Sequence, residues 1–319
     1  MTRLSRRSFG LAALSAPALL GLASAPARAD GHAAARAPML FQASLGKYKV
    51  TSLFDGLVPL GKDFFFGVDA AEIDAALGAA GIEGDALPAP INAFLLQSED
   101  RNILIDAGFG AVDMFGPGFG RMFDGLAALG LSADDIDTVI VTHAHPDHIG
   151  GLMGADGPAF KNAQVLFPEG EVAFWGDEAI MSQAPEEAKG LFQMYQGVAA
   201  MYGDQIVPTA AGAEITPGIR LDLSPGHTPA HSIVHIDGGD QELIMLADTL
   251  HNVTLHTALP QIGFGFDSDT ALAAESRIKL FDRVATDKIL VAGSHIHFPG
   301  FGRILKDGDA YRYLPASWA

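Results

Sequence analysis

The sequence predicts an α/β fold in which two packed sheets share one domain. Short, β-branched apolar segments recur in two strand-rich halves, residues 39–167 and 206–319, and such segments are typical of buried strands. Amphipathic segments lie between them, and residues 268–284 give the clearest helical pattern. The chain has 319 residues, of which 49% are hydrophobic and 18% charged. This size and composition indicate a globular protein with a large core.

The first 29 residues have the pattern of an export signal. Residues 5–9 (Ser-Arg-Arg-Ser-Phe) resemble a twin-arginine motif, an apolar segment follows at residues 11–22, and residues 27–29 (Ala-Arg-Ala) form a small-x-small cleavage site. We expect residues 1–29 to be a twin-arginine signal peptide and residues 30–319 to be a single domain that is periplasmic or secreted. The apolar segment is short and broken by proline and glycine, so we expect no stable membrane association after cleavage.

The elements before the central motif are predicted from alternation and capping. Residues 39–54 alternate between polar and apolar side chains, which predicts one half-exposed antiparallel strand. Asp69 and Glu72 have the spacing of a capping box that opens a short helix. Residues 93–97 and 102–106 predict a hairpin joined by a polar turn.

The remaining elements follow from apolar segments of strand or helix length. Helices are predicted at residues 119–129, around Trp175, and at 185–202 and 268–284. Strands are predicted at residues 139–141, 165–167, 219–223, 233–236, 243–247 and 289–292.

Four ligand-type side chains occur within six residues directly after the apolar strand at residues 139–141. They are His143, His145, Asp147 and His148. Such side chains are rarely buried without partners, and burying several together is unfavourable unless something binds them. Imidazole and carboxylate suit a divalent ion such as zinc. Because the chain contains no cysteine, every metal ligand must be nitrogen or oxygen.

Three further ligand-type residues stand at the ends of apolar strands. His227 lies on a Gly/Pro loop, Asp248 ends the strand at residues 243–247, and His295 follows the last strand. Strands that deliver such side chains at their tips place them where several strand ends converge. His231, which is near His227, is expected to form a hydrogen bond within its own loop.

The sequence His143-x-His145-x-Asp147-His148 resembles the signature of the metallo-β-lactamase superfamily. The resemblance implies an αββα four-layer sandwich with two metal ions at one edge. It also implies that Asp248 bridges the ions and that Asp106 orients a metal-binding histidine, although Asp106 could equally be a turn former. The implied ligands are His143, His145 and His227 for one ion, and Asp147, His148 and His295 for the other.

Two ions held in this way imply a hydrolase. At about 3.5–4 Å apart they can share a hydroxide that is nucleophilic at neutral pH, which assigns catalytic roles to Asp147 and Asp248. Zinc is the expected metal, with manganese, iron and cobalt as alternatives. An alternative of another class is a non-catalytic metal-binding scaffold on the same fold, although scaffolds usually lose ligands and this chain has kept all seven.

Several branches of the superfamily are excluded by residue. The zinc β-lactamases with a cysteine ligand need a residue that the chain lacks, and the flavodiiron branch has glutamate where His145 stands. Glyoxalase-type enzymes usually carry Thr-His-His-His and basic glutathione contacts, which this sequence does not show.

Positive resemblance points to the methyl parathion hydrolase group and covers most of the chain after the signal. It rests on residues 115–120, 174–175, 266–269, 295–302 and 311–315. This resemblance implies hydrolysis of phosphotriesters or esters, and N-acyl homoserine lactones are the main alternative substrate. The implied substrate-pocket residues are Phe115, Trp175, Phe192, His251, Phe266 and His297, of which His251 and His297 depart from that group.

The charge of the chain argues against nucleic acid as a partner. The formal net charge is −18, and removing the four arginines of residues 1–29, which contain no acidic residue, brings it to −22 (−18 minus 4). Such a protein repels phosphate backbones. We therefore expect a small-molecule substrate, with homodimerisation left open.

Overall fold

Two seven-stranded sheets form the centre of the fold. The computed structural model describes residues 37–316, so the predicted signal peptide lies outside the described residues. The described residues from Pro38 onward form one compact unit, which contains all the described helices and strands.

The first sheet comes from the first half of the chain. Its first four strands pair antiparallel and its last four pair parallel, with one strand counted in both groups. In spatial order the strands are β1 (Leu40–Leu45), β2 (Tyr48–Val58), β4 (Ala89–Gln97), β5 (Asn102–Ile105), β6 (Thr138–Ile140), β9 (Gln164–Pro168) and β10 (Ile206–Thr209).

The second sheet comes from the second half of the chain and is antiparallel except at one pair, β14 with β16. In spatial order its strands are β11 (Glu214–Thr216), β12 (Ile219–Leu223), β13 (Ser232–Asp237), β14 (Glu242–Met245), β16 (Leu290–Ala292), β17 (Phe301–Asp307) and β18 (Ala310–Pro315).

Helices and two short ribbons complete the fold. The helices are α1 (Ala70–Ala79), α2 (Met122–Ala128), α3 (Pro146–Ile149), α4 (Glu169–Trp175), α5 (Glu178–Gln183), α6 (Glu186–Tyr202), α7 (Val253–Ala258) and α8 (Thr270–Asp287). The two-stranded ribbons pair β3 (Phe65–Phe66) with β15 (Gly263–Phe264) and β7 (Met153–Gly154) with β8 (Gly157–Pro158). Among the described residues, no helix is both long and apolar enough to span a bilayer.

Alternation along the strands produces four layers. In β4, Ala93 and Leu95 pack outward against the core that contains α2 and α6, whereas Phe94 and Leu96 pack inward against the second sheet. This is the period-two alternation of a strand that is buried on both faces. The outer face of the second sheet packs on α8 through the core that contains Phe281. The arrangement is helix, sheet, sheet, helix, which confirms the predicted αββα sandwich.

Most predicted elements are present within a few residues of their expected bounds, including the capping box at Asp69 and Glu72. The single half-exposed strand expected over residues 39–54 is wrong. This segment forms the hairpin of β1 and β2, which turns at Gly46 with a φ of 54°. The alternation of polar and apolar residues continues through both strands, so it does not reveal the turn between them. Nearly all of β2 is buried, because helices cover one face of this sheet and the second sheet covers the other.

Candidate metal centre

The central motif changes from strand to helix over a few residues. β6 ends at Ile140, and His145 is the N-cap residue of the single-turn helix α3, whose first residue is Pro146. Proline is favoured at this position because its missing N–H would have no helical partner there. This turn places Asp147 and His148 on the helix while His143 and His145 precede it. The four side chains therefore surround one point at the sheet edge.

Two glycines allow a second loop to lie against this helix. A Cβ atom on Gly151 would lie 2.0 Å from the carbonyl oxygen of Ala107, and one on Gly150 would lie 2.3 Å from that of Phe109. Non-bonded carbon and oxygen atoms do not approach this closely, so only glycine fits at either position. The close approach brings Asp106, which starts this loop, within reach of the motif.

The other three ligand-type residues come from the second sheet. His227 lies on the loop between β12 and β13, Asp248 follows β14, and His295 follows β16. Ala247, directly before Asp248, has a φ of 45°, which is unfavourable for a residue with a Cβ. Strain of this kind persists where the surrounding structure fixes the backbone. Here it turns the chain so that Asp248 leaves the strand toward the opposite sheet.

The structure brings all seven predicted ligands together in two groups that share Asp248. Within each group the potential ligand atoms lie within 4.8 Å of one another. The first group, called the first half of the centre, is His143, His145, His227 and Asp248; the second half is Asp147, His148, His295 and Asp248.

Asp248 lies between the two halves. Its Oδ2 atom is 3.3 Å from His227 Nε2 and 3.0 Å from His295 Nε2, and its Oδ1 atom is 3.0 Å from His148 Nε2. One carboxylate thus reaches imidazoles of both halves. This is the placement required of a ligand shared by two ions.

The atoms of the site fit divalent cations. His143 Nε2, His148 Nε2 and Asp248 Oδ1 are buried and have no hydrogen-bond partner. The short distance between His148 Nε2 and Asp248 Oδ1 does not have hydrogen-bond geometry. Buried polar atoms normally have partners, whereas imidazole nitrogens and carboxylate oxygens converging in this way match the preferred ligands of zinc. The residues therefore fit one ion in each half.

The pKa shifts divide the histidines of the centre into two kinds. Asp248 and Asp267 outweigh burial and raise the pKa of His227 to about 9, whereas His143 and His145 shift the other way. Burial lowers the pKa of His143 and His145 well below the usual value, and neighbouring imidazoles lower it further. Both rings are therefore neutral at neutral pH and keep a lone pair for a metal. In the second half, burial alone would lower the pKa of His148, but Asp248, Asp147 and Asp106 raise it well above the usual value. A divalent cation would occupy this region of negative charge in place of a proton.

Asp147 is ionised despite its surroundings. Burial raises the pKa of its carboxyl group, but His148 and His295 outweigh that effect and bring the pKa to about 2. Its side chain is 14% exposed, whereas that of His148 is fully buried. Asp147 is therefore a charged candidate ligand at the open side of the centre.

A partner at Nδ1 fixes the orientation of several imidazoles. Asp106 accepts a hydrogen bond from His148 Nδ1 at 2.8 Å, and Asp267 accepts one from His227 Nδ1 at 3.0 Å. The backbone carbonyl of Pro90 accepts from His295 Nδ1 at 2.9 Å. These partners fix the tautomer and direct Nε2 toward the other members of the centre: His227 Nε2 lies 2.9 Å from His145 Nδ1, and His295 Nε2 lies 3.0 Å from Asp248 Oδ2.

Asp106 is held in a strained conformation. Its φ is 56°, and its carboxylate also accepts hydrogen bonds from the backbone and the hydroxyl of Thr142 at 2.8 and 2.9 Å. The structure thus places Asp106 behind the motif, as the resemblance implies, and not only in a turn.

Three partners of the ligand loops were missed by sequence reasoning. Asp267 lies in residues 266–269, from which only Phe266 was selected. Asn92 Nδ2 donates to the backbone carbonyl of Ile296 at 2.8 Å, beside His295. Glu171 binds the loops of the first half. The available signals were weak: an Asp beside a Phe, an Asn in an apolar strand, and a Glu four residues before Trp175.

His231 also acts beyond its own loop. Its Nδ1 atom is 2.8 Å from the carbonyl oxygen of Ser224, within the loop as expected. Its Nε2 atom accepts a hydrogen bond from the backbone N–H of Asp248 at 3.0 Å. His231 therefore joins the loop that carries His227 to the shared carboxylate.

The six predicted pocket residues fall into two groups. Phe115, Phe266 and His297 are exposed, whereas Trp175, Phe192 and His251 are buried. The three buried residues contact one another or the centre closely. The ring of Trp175 is 5.9 Å from that of His145 and 4.7 Å from that of Phe192, and His251 Nε2 is 3.0 Å from Asp248 Oδ2.

A path of aromatic rings leads from the surface to the centre. Phe266, which is 45% exposed, lies 5.5 Å from Phe264, and Phe264 stacks on His251 at 3.7 Å. His251 in turn contacts Asp248. Phe264 and His251 are buried, so of these three rings only that of Phe266 presents apolar surface to solvent.

One protein family matches most of this chain when the sequence is compared with known proteins. The family profile described as "Metallo-beta-lactamase superfamily" matches residues 86–308. The N-acyl homoserine lactonase of Bacillus thuringiensis is 26% identical over 230 residues, which cover 66% of this chain and 82% of the lactonase.

Two solved structures resemble the fold closely. The hydrolase AbOPH, described as a member of the beta lactamase superfamily, superposes with a TM-score of 0.83 at 26% identity, covering 88% of this chain and 98% of AbOPH. AidC, a dizinc quorum-quenching lactonase, superposes with a TM-score of 0.81 at 24% identity, covering 89% and 99%. At that identity the likeness to AidC shows the fold alone.

Proposed function

Because this chain belongs to the metallo-β-lactamase superfamily, we propose that it is a two-metal hydrolase that opens lactone rings, with N-acyl homoserine lactones as the substrate class. The observation that carries the proposal is the convergence of two sets of ligands on Asp248. The predicted metal-dependent hydrolase is supported by the family and by relatives that are hydrolases. The alternative of a non-catalytic scaffold is not favoured, because all seven ligands are present and converge.

The chemistry follows from the ligand set. Two bound ions would lower the pKa of a shared water and polarise the oxygen of the attacked group. The chain itself fixes the ligands: Asp106 and Asp267 hold protons at the Nδ1 atoms of His148 and His227. Asp147 is ionised and partly exposed, so it can accept a proton and pass it to the alkoxide that leaves when the ring opens.

The choice of lactones rests on the relatives and on the aromatic path. The curated relative named above is an N-acyl homoserine lactonase. Such substrates combine a polar ring with an apolar acyl chain. The exposed ring of Phe266 offers apolar surface for that chain, and it contacts the buried stack of Phe264 on His251 beside the proposed metal ligands.

The second candidate substrate is an aryl phosphotriester, as the resemblance to the methyl parathion hydrolase group implies. One observation favours it: the Trp175 ring lies edge-on to His145 at 5.9 Å, close enough to contact an aromatic leaving group at the metal. Zinc is the proposed metal, and export by the twin-arginine route remains a proposal that rests on residues 1–29 alone.

Kinetics on the metal-loaded enzyme test the proposal. We expect kcat/KM for a hexanoyl or decanoyl homoserine lactone to exceed that for an aryl phosphotriester and for an aryl acetate. The chelator-treated enzyme is the control and should lose activity until metal is restored. A higher kcat/KM for the phosphotriester would favour the second candidate. No turnover of lactone, ester or phosphotriester by protein that contains two ions per chain would contradict the hydrolase.

A further inference from the structure

Glu171 is a fully buried carboxylate that lies behind the first half of the centre. Its side chain has no exposed surface, and it projects from α4 toward both sheets. Four groups donate hydrogen bonds to it, two to each oxygen. A buried Glu with a complete set of donors is rare unless its position serves a purpose.

The donors are the chain neighbours of the first-half ligands. The backbone N–H of Ala144, which stands between His143 and His145, donates to Oε2 at 3.0 Å. The hydroxyl of Thr228, directly after His227, donates to Oε1 at 2.6 Å. Each of the three histidines is therefore a chain neighbour of a residue that binds Glu171.

The two remaining donors extend this arrangement. The backbone N–H of Ala230 donates to Oε1 at 3.0 Å, and the indole N–H of Trp175 donates to Oε2 at 2.7 Å. Ala144 belongs to the loop after a strand of the first sheet, whereas Thr228 and Ala230 belong to a loop of the second sheet. One carboxylate therefore joins loops that come from opposite sheets and meet at the metal centre.

The hydrogen bonds indicate that Glu171 is ionised. Burial raises the pKa of its carboxyl group above the usual value, and the four donors reduce that rise in part. Three of the four donors are N–H groups, which cannot accept a carboxyl proton, and only the Thr228 hydroxyl could do so. A buried negative charge behind these imidazoles also favours a cation in front of them.

We propose that Glu171 is the positioning residue of the first half of the centre: it sets the distance between the His143–His145 loop and the His227 loop, and thereby the metal affinity of that half. The inference rests on the proposed two-metal centre. Glu171 itself is not among the ligand-type residues of either half and acts only through the ligand loops.

Substitution by glutamine separates this role from packing. The side chain introduced by Glu171→Gln has nearly the same size, but its amide NH2 group cannot accept hydrogen bonds. The two donors that face this group, either Thr228 and Ala230 or Ala144 and Trp175, would therefore lose their acceptor. The Thr228 hydroxyl can rotate to accept, whereas the N–H of Ala230 cannot. We therefore expect Glu171→Gln to loosen the His227 loop. Glu171→Asp keeps the charge, but it is one methylene shorter and cannot reach both loops.

Cobalt(II) binding to the purified full-length chain tests the proposal without any substrate. In His295→Ala the remaining ion should be that of the first half, and in His227→Ala that of the second half. Adding Glu171→Gln should weaken cobalt binding at least about tenfold in the His295→Ala background, as for other residues that orient ligands. In the His227→Ala background it should change binding less than twofold. Val284→Ala, which truncates a buried core residue of α8, is the control for stability. It should destabilise the fold without weakening cobalt binding.

Thr228→Val provides a milder second variant. It removes one hydrogen bond to Glu171 and keeps the charge, so it should weaken first-half cobalt binding several-fold even if Glu171→Gln does not fold. Equal weakening of both halves, or first-half binding unchanged in Thr228→Val and in any folded Glu171 variant, would overturn the proposal. The wild-type count of two cobalt ions is a separate readout, and a lower count would instead contradict the two-metal function.

Discussion

The two halves of the metal centre use different chemistry around the same carboxylate. The first half offers three imidazoles, whereas the second pairs two imidazoles with Asp147. All first-half ligands are buried, whereas Asp147 is partly exposed. The first half is therefore enclosed by protein, and the second is the more open to solvent.

The difference lies in where each half obtains its negative charge. The second half has a charged ligand of its own, Asp147, and Asp106 stands behind His148. The first half shares Asp248 but has no other carboxylate ligand among the described residues, and its further charge lies behind the imidazoles on Glu171 and Asp267. An ion in the first half should thus depend more on residues that do not touch it.

The largest effect is expected at the residue that the two halves share. Asp248→Asn removes the charge that both halves use, so both should bind metal weakly, and kcat/KM should fall about 100-fold or more, beyond the usual effect of losing an orienting residue. Metal content and kinetics measure it. Asp282→Asn, which removes an exposed carboxylate paired with Lys306, is the control. Near-wild-type turnover in Asp248→Asn would exclude a shared ligand.

The next comparison uses two neighbouring histidines. His295 is buried, with Nε2 at 3.0 Å from Asp248, whereas His297 is exposed. We expect His295→Ala to lose the second-half ion and His297→Ala to keep both ions and alter only substrate preference. The number of metal ions bound by each purified variant shows which of the two histidines is the ligand. One ion left in His297→Ala and two in His295→Ala would reverse the assignment.

A smaller effect is expected from the carboxylates behind each half. Asp267→Asn should weaken the first-half ion about 10–100-fold, because it removes the negative charge beside His227 and leaves one acceptor oxygen for two donors, His227 Nδ1 and the backbone N–H of Phe264. Asp106→Asn should weaken the second-half ion less, since Asp147 still supplies charge there. Competition with a chelator, followed by cobalt spectra, measures both. If either variant weakened the two halves equally, the separate supply of charge would be wrong.

The convergence of the seven ligand-type residues could be predicted because each residue stands in a recognisable local sequence pattern. His143, His145, Asp147 and His148 stand together at the end of an apolar strand, where no packing role explains them. Asp248 and His295 also follow such strands. The sandwich could be predicted for a similar reason: the spacing of apolar residues in the sequence distinguishes buried strands from amphipathic helices.

The supporting residues could not be predicted because their partners are remote in the chain. Glu171 is 27 positions from Ala144 and 59 from Ala230. Asn92 is 204 positions from Ile296. A glutamate on a helix has the same local pattern whether it faces solvent or a buried set of donors, so only the fold shows which it is.

The smallest effect is expected at Trp175, where the enclosed half contacts its surroundings. The residue has two separable features: a ring packed on Phe192 and His145, and an indole N–H bound to Glu171. Trp175→Ala removes both, and the lost apolar surface should raise KM for long acyl or aryl substrates more than it lowers kcat. Trp175→Phe keeps a ring and removes only the hydrogen bond.

The two variants therefore distinguish the contribution of the Trp175 ring to substrate binding from the contribution of its N–H to metal binding. Trp175→Phe should leave KM near the wild-type value but weaken the first-half ion about fivefold, since one hydrogen bond contributes about 1 kcal/mol. Steady-state kinetics with a decanoyl lactone and cobalt titration give the two readouts, and thermal melting confirms that both variants are folded. An equal rise in KM in both variants would mean that the N–H of Trp175, and not its ring, governs substrate binding. A loss of kcat alone in Trp175→Ala would contradict a binding role, because truncating an apolar contact should not selectively destabilise the transition state.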